Sequence, residues 1–325
     1  ATGEVLRTLE AHEDAVISVN FHPDNMRLFC GGLDGQLIIW DALSGEMITS
    51  MEYFQRAVNE IVWSSDGKWI AAGGMQGDIY IWEASSGELY KKLEGHLEAI
   101  ERLVWSQDSE RLASLSAEKA ALVWDIQQGN IIQRLEQSTA APTEEVFMPD
   151  GSPVETEIEA KAYDADFSPD GRYLALGGKD TKVYIWDWER GEIIQVLEGH
   201  MTDVLSVEYI SGGQVLISMS YDGTIVYWDP LSGEKLDEKS YPGMTSMVAA
   251  PDGEHLALGE WNGHIMLWDA ANDIPSRSFN GSSDAVFQAR FSADGKYLAS
   301  GLSGDLNAVV LWETGTGEET CLLYT

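Results

Sequence analysis

The sequence predicts an all-β fold made of one repeated unit of four antiparallel strands, and three observations predict it. Tryptophan followed by an acid recurs seven times, as Trp40-Asp41, Trp82-Glu83, Trp124-Asp125, Trp186-Asp187, Trp228-Asp229, Trp268-Asp269 and Trp312-Glu313. Each tryptophan ends an alternating apolar segment, such as Gln36 to Trp40, Asp78 to Trp82 or Lys182 to Trp186, with the period of two expected of a strand. Turn residues recur at fixed places between these segments. Self-similarity of this kind is weighed before any single motif because it sets the fold.

Successive tryptophans lie 42, 42, 62, 42, 40 and 44 residues apart. Within a unit, strand a leads to a turn written Pro23-Asp24-Asn25, Ser65-Asp66-Gly67, Pro169-Asp170-Gly171, Pro251-Asp252-Gly253 or Ala293-Asp294-Gly295. Proline presets φ there, and Asp or Gly suits the positions that follow. The fifth unit uses Ser211-Gly212-Gly213 instead. Strand b follows, and strand c ends at the tryptophan. Five residues later stands Gly45, Gly87, Gly129, Gly191, Gly233 or Gly317, with Asp273 the exception. A glycine at this place supplies the positive φ of a tight turn into strand d. Four strands in this order make one propeller blade.

Charge and composition exclude several classes. With 54 Asp+Glu against 20 Lys+Arg the net charge is −34, so direct binding to nucleic acid through phosphate neutralisation is not expected. Apolar residues make up 44% of the chain, with 12 Trp, 12 Tyr and 8 Phe, which is too rich in core-forming side chains for an acidic disordered polymer. No apolar run approaches the roughly 18 residues of a membrane span, and Ala1 to His12 lacks the charged and apolar regions of a signal peptide. No membrane association is therefore expected. Cys30 and Cys321 are too few for a disulfide framework, and a reducing cytoplasmic setting is expected.

The chain resembles the WD40-repeat family over essentially its whole length. The resemblance rests on Gly95-His96 and Gly199-His200 with Ala11-His12, the Ser/Pro-Asp-Gly turns, Ser114 and Ser218 in strand b, and the seven Trp-Asp/Glu endings. Seven repeats imply a seven-bladed β-propeller with four antiparallel strands per blade. The resemblance also implies a tetrad of His, Ser or Thr, Asp and Trp in a blade, complete in repeat five as His200, Ser218, Asp222 and Trp228. Repeat one has His12, Asp34 and Trp40 with Cys30 in the serine place, and repeat three has His96, Ser114 and Trp124 with Glu118 in the aspartate place. Repeat two has Phe54, Ala72 and Gln76 at these positions, repeat four keeps Asp180 and Trp186, repeat six Trp268 with Asn262, and repeat seven Ser282 and Ser300.

His, Ser and Asp together also make a nucleophilic triad, but a catalytic set is needed once, in a cleft with an oxyanion hole. Here the three recur at repeat spacing around buried tryptophans, which is a structural pattern. Asp164, Asp166, Asp170 and Gly171 superficially suggest a calcium loop, yet the glycine and the bidentate acid are out of register, and strand a with its turn is the reading adopted. The six histidines show no metal-ligand pair, and no Gly-rich phosphate loop precedes a helix. No metal and no cofactor are expected.

The long interval contains residues 138–160, which read as an inserted acidic hairpin between blades 3 and 4 of a single propeller spanning 1–325. The resemblance places such d-to-a connections on the top face, the usual partner surface. Registering each repeat on its tetrad His puts Asp14, Arg56, Glu98, Thr202 and Asp284 on that face, and Leu33, Met75, Ala117, Lys179, Tyr221 and Trp261 just before the b-c turn. With Glu144 and Glu145 of the insertion, the acids and the aromatic pair suit a peptide that carries Lys or Arg. Gly3 to His12 matches Gly87 to His96 nearly residue for residue and is expected to close the last blade as its outer strand, with the tail Gly317 to Thr325 a rival for that edge. The expected function is a non-catalytic scaffold binding a basic protein or peptide on the top face, either alone or within a larger complex. A second class stays open, a sensor or regulatory module of a larger signalling NTPase, kinase or other multidomain protein. A third, an enzyme in its own right, lacks any unshared catalytic constellation.

Overall fold

The computed structural model describes residues 2–3, 5–52, 54, 56–136, 162–260, 262–270, 274–280, 286–302 and 308–315. The fold is a seven-bladed β-propeller: seven sheets, each with four antiparallel strands in meander order from a to d. Blade 1 is typical, with strands Val16–Phe21, Arg27–Gly32, Gln36–Asp41 and Met47–Glu52. Residues 138–160, expected to be an inserted hairpin, lie outside the described residues. So do Glu144, Glu145, Trp261, Asp284 and the tail from 316.

The middle strands are buried on both faces rather than one. In blade 1 Leu37, Ile38, Ile39 and Trp40 are all buried although consecutive residues point to opposite sides. That differs from the half-buried strand the alternation suggested. The reason is that a sheet packed between two others has no solvent face, so its central strands read as apolar runs. Outer strands are the reverse, and Lys235–Ser240 of blade 5 is largely exposed.

The turns explain the repeated letters. Gly45, Gly87, Gly129, Gly191 and Gly233 all have φ between 71° and 76°, the left-handed conformation expected. In blades 1 to 5 the acid after the tryptophan caps this same turn. Asp41 Oδ1 accepts from the N–H of Leu43 at 3.0 Å and of Ser44 at 2.7 Å, and Asp229 does the same for Leu231 and Ser232 at 2.9 and 3.0 Å. Glu83 is one carbon longer and instead accepts from the Ser86 hydroxyl at 2.7 Å.

Closure uses the start of the chain. Val5–Glu10 pairs antiparallel with Ala308–Glu313, in register Thr8 to Val310, and so forms the outer strand of blade 7. Thr2–Gly3 adds in parallel to Ile274–Asn280, the outer strand of blade 6. One short segment therefore covers strand edges of two blades, which removes sites for unwanted strand pairing.

Two compact units make up the chain, one of residues 1–75, 81–90 and 243–325 and one of 76–80 and 91–242. In each unit three blades are tied at the inner strands by one register position. In the first unit, Gln288 of strand Val286–Phe291 accepts at Oε1 from the Ser18 hydroxyl at 3.0 Å and the Val19 N–H at 2.8 Å. Its Nε2 donates to both carboxylate oxygens of Glu60, at 3.1 and 3.0 Å, in strand Val58–Trp63. Ser18 Oγ in turn accepts from the Ile61 N–H at 3.0 Å. Three blades are thus joined through side chains that are nearly inaccessible, Ser18 at 0% and Glu60 at 3%. In the second unit, Arg102 Nε lies 2.6 Å from Asp164, whose other oxygen accepts from the Ser206 hydroxyl at 2.9 Å and the Val207 N–H at 3.0 Å. Asp164, read above as strand rather than calcium ligand, is thus the brace that joins blades 3, 4 and 5.

Outer strands carry a second tie. A long polar side chain reaches the c-d turn of the next blade: Gln195 Nε2 donates to the Leu231 carbonyl at 2.7 Å, and Arg277 donates to the Thr314 carbonyl at 2.7 Å. Lys91 Nζ donates to the Gln127 carbonyl in the same way.

Gln288→Ala removes the amide bonds to the Glu60 carboxylate, which keeps Arg290 at 3.8 Å, and strands the buried Val19 N–H, which costs about 1–3 kcal/mol of folding stability at the usual cost of an unsatisfied buried group. Urea unfolding checks it. A loss under about 0.5 kcal/mol, within the range of neutral surface changes, shows that the inner tie is dispensable.

Candidate interaction face

Three blades carry a polar network around the strand-c tryptophan. In blade 5 the Trp228 indole N–H donates to Ser218 Oγ at 2.8 Å, and Ser218 is 2.7 Å from His200 Nε2. The far nitrogen of His200 does not meet Asp222. It lies 2.9 Å from Thr224 Oγ1, and that hydroxyl donates to Asp222 Oδ1 at 2.5 Å. Thr224 is therefore a fifth member that relays the aspartate to the histidine. Blade 3 closes directly, with His96 2.7 Å from Ser114 and 2.8 Å from Glu118, the longer acid spanning the gap. In blade 1 the Trp40 N–H and His12 Nε2 both lie 3.2 Å from Cys30 Sγ, and His12 Nδ1 lies 2.9 Å from Asp34. Sulfur takes the serine's place at longer distances. Burial pushes the Cys30 thiol up to about 12, so it stays protonated.

Burial also sets the charge state of the histidines. Desolvation holds His96 and His200 below the ordinary imidazole range against the opposing pull of Glu118 and Asp222. Burial alone raises Asp222, but its bonds from Thr224 and the Met201 N–H outweigh that and keep it below the usual carboxylate range. A neutral histidine and an ionised aspartate are the resting pair. Blades 4 and 7 lack the network: among the described residues the indole N–H groups of Trp186 and Trp312 have no hydrogen-bond partner.

The networks do more than fill the blade, because their acids also fix the loop beyond the histidine. Asp34 accepts from the Glu13 N–H at 2.9 Å, Glu118 from the Leu97 N–H at 2.7 Å and Asp222 from the Met201 N–H at 2.8 Å. Two of these pinned residues are apolar, and Leu97 and Met201 are each 85% exposed, the most exposed large apolar side chains among the described residues. Sequence reading passed over them by counting two residues past the histidine; counting one residue past it finds them.

The b-c turns are pinned as well. Leu33 N–H donates to the Ala15 carbonyl at 2.9 Å, Met75 to Ala57 at 3.4 Å, Ala117 to Ala99 at 2.9 Å and Tyr221 to Asp203 at 3.0 Å. The expected partner residues are thus presented on fixed backbone. In the first unit Asp14 is exposed at the histidine-bearing end of blade 1, and Arg56 and Met75 are exposed at the corresponding end of blade 2, where Phe54 takes the histidine's place. In the second unit Glu98, Lys179 and Tyr221 are exposed at the same end, beside Leu97 and Met201, and Tyr221 is 55% accessible. Among the described residues no group of three or more His, Cys, Asp or Glu side chains is placed to hold a metal ion, and no helix is long and apolar enough to cross a membrane.

Comparison with known proteins finds two matching family models. One, described as WD domain, G-beta repeat, matches residues 3–41 and 274–313; the other, described as outer membrane protein assembly factor BamB, matches residues 33–279. The nuclear distribution protein PAC1 of Coccidioides posadasii is 31% identical over 166 residues, 47% of this chain and 35% of its own. The pre-mRNA-splicing factor cwf17 of Schizosaccharomyces pombe is 30% identical over 126 residues, 38% of this chain and 37% of its own. The periodic tryptophan protein 2 homolog of the same yeast is 26% identical over 126 residues, 38% of this chain and 15% of its own. The chain spans about a third of the length of the PAC1 relatives it matches.

Two outcomes follow from the network geometry. Thr224→Val breaks the relay and leaves His200 Nδ1 without its partner, at an expected cost of about 1–2 kcal/mol by chemical unfolding. A cost near zero places His200 directly on Asp222. Titration of the ring carbons by NMR should give midpoints below about 6.5 for both His96 and His200. In sign, the unfolded chain takes up these protons below 6.5 while the folded chain refuses them, so stability falls as pH drops from 6.5 toward the folded midpoints.

Proposed function

Because the chain belongs to the WD40-repeat family, we propose that it is a non-catalytic scaffold that captures a protein or peptide at the histidine-bearing ends of its blades, with a basic segment carrying apolar residues as the ligand. One observation carries this reading. Leu97 and Met201 stand in water on backbone that the network acids hold still. Backbone held in this way need not be ordered on binding, and each side chain contributes about 1.5–3 kcal/mol if a partner covers it fully, less the cost of fixing its rotamer. Tyr221, exposed on its own pinned turn, adds an aromatic anchor of the type that concentrates binding energy.

Charge supplies the selectivity. The exposed acids Asp14 and Glu98 lie at these ends in a chain of net charge −34, so a cationic segment is steered in and a polyanion such as nucleic acid is repelled. Catalysis by the His-Ser-Asp sets has no route. Ser218 and Ser114 are wholly inaccessible and accept from tryptophan indoles, so neither hydroxyl can reach a substrate. A second reading has its own support: the PAC1 relative, matched over 35% of its length, is longer than this chain, which fits a regulatory or sensing module within a longer polypeptide. Coding sequence adjoining this region discriminates the two.

The test is affinity capture from a lysate at about 0.1 M and 1 M salt, where the screening length falls from roughly 10 Å to 3 Å, with the bound proteins identified by mass spectrometry. Basic partners released at high salt are expected. The pair Leu97→Ser and Met201→Ser, and separately Tyr221→Ala, should each cut capture about tenfold, while Met26→Ser, an exposed residue on an a-b turn, leaves it unchanged. Capture that survives both changes and molar salt sinks the assignment.

A further inference from the structure

The opposite ends of blades 3 and 4, where the a-b and c-d turns lie, hold a cavity of about 350 Å3 within the second unit. Its existence traces to one residue. Two places after the strand-c tryptophan the blades carry Ala42, Ala84, Ile126, Trp188, Pro230, Ala270 and Thr314, so blade 4 sets an indole where four of the other six blades have Ala or Thr. Trp188 is 6% exposed, and its N–H donates to the Gly171 carbonyl at 2.9 Å, which locks the ring onto its own a-b turn as a rigid wall. Facing it across the gap, blade 3 presents Ile132, left 40% exposed on the outer strand Asn130–Glu136.

The rim is acidic. Asp125 and Glu189 both line the cavity. Arg111 lines it too, but its charge is already met, by Asp125 at 3.6 Å and Glu110 at 3.8 Å, and its guanidinium donates to the Glu110 carbonyl at 3.1 Å. Glu189 has no ion pair among the described residues. An incoming carboxylate or phosphate meets the two lining acids and a guanidinium that is already matched. An incoming cation meets an unmatched acid at the mouth and apolar walls behind it.

We propose that this notch is a second docking site, which receives an arginine side chain of a protein partner, with an aliphatic residue next to it. The alkyl stem lies along Trp188 and Ile132, as long cationic side chains cover apolar surface while keeping the head wet. The guanidinium reaches Glu189 and Asp125, whose carboxylates suit its planar fork. The volume sits at the lower end of small-ligand cavities, which fits one long side chain with its backbone. Because the notch lies at the far ends of the blades from Leu97 and Met201, it stands or falls separately from the capture site proposed above.

The test uses the full chain labelled with 15N and follows the Trp188 indole N–H, assigned through Trp188→Phe, during titration with the blocked tripeptide acetyl-Leu-Arg-Leu-amide. The blocked peptide acetyl-Leu-Glu-Leu-amide is the comparison. A saturable shift with the arginine peptide and none with the glutamate peptide is expected. Glu189→Gln, which removes no contact within the fold, should weaken binding roughly two- to fivefold, the scale of a partly exposed ion pair. Ile132→Ser should weaken it as well, and the Leu97→Ser/Met201→Ser pair should not. The proposal fails if the arginine peptide gives no saturable shift, if both peptides bind alike, if Glu189→Gln and Ile132→Ser leave the affinity unchanged, or if it is the Leu97/Met201 pair that alters it.

Discussion

A four-stranded blade whose central strands are apolar on both faces cannot stand alone in water. Leu37 and Ile39 need one covering surface, Ile38 and Trp40 another, and a single sheet has neither. Within each unit, stability is therefore held in the contacts between neighbouring blades, which serve as core for one another. This single requirement explains why the repeat is so legible. The tryptophan, the turn glycine and the capping acid are the residues that each sheet needs to have the same shape as its neighbour.

Polar ties at both ends of the strands complete the apolar packing. Near the inner strands Gln288 holds Ser18 and Glu60, and Asp164 holds Arg102 and Ser206. At the outer strands Gln195 and Arg277 grip the next c-d turn. Apolar contact alone is tolerant of sliding, whereas a buried carboxylate accepts only those positions that satisfy it. The inner ties thus fix the register between sheets, and a fixed register keeps the loops beyond the histidines in one place. Pinned loops in turn let Leu97 and Met201 remain exposed without burying themselves against the blade.

Much of this was legible in the residues, for a physical reason. Features that every blade must share repeat as the same letter: Trp228, Gly233 and Asp229 recur in kind along the chain, so period and turn chemistry locate the strands, and the match of Gly3 to His12 with Gly87 to His96 locates the closing strand. The inner ties are invisible in the sequence because one structural position is filled by Ser18, Glu60 and Gln288 in one unit and by Arg102, Asp164 and Ser206 in the other, each complementing a neighbour rather than resembling it. Thr224 escaped for a similar reason, since the relay depends on a distance that Glu118 spans by length in blade 3. Trp188 was passed over because the repeat draws attention to the tryptophan two places earlier. Family resemblance indicates where a blade's own bonds lie; it is silent about pairings peculiar to one neighbour.

The closing strand has a consequence for the order of events during synthesis. Val5–Glu10 is made some three hundred residues before its partner Ala308–Glu313. Until then that strand has no sheet to join, and the loop that must close to place it is some three hundred residues long. At typical elongation rates of roughly 5–20 residues per second, that interval is tens of seconds. Pairings this distant in sequence are the slow ones, because the entropy of loop closure is lost before any contact repays it. Throughout that wait Val5, Leu6 and Leu9 are an unpaired apolar strand on a growing chain. The large negative charge carried by the rest of the polypeptide then acts in time as well as in space, keeping nascent copies apart until the last blade arrives to cover the first strand.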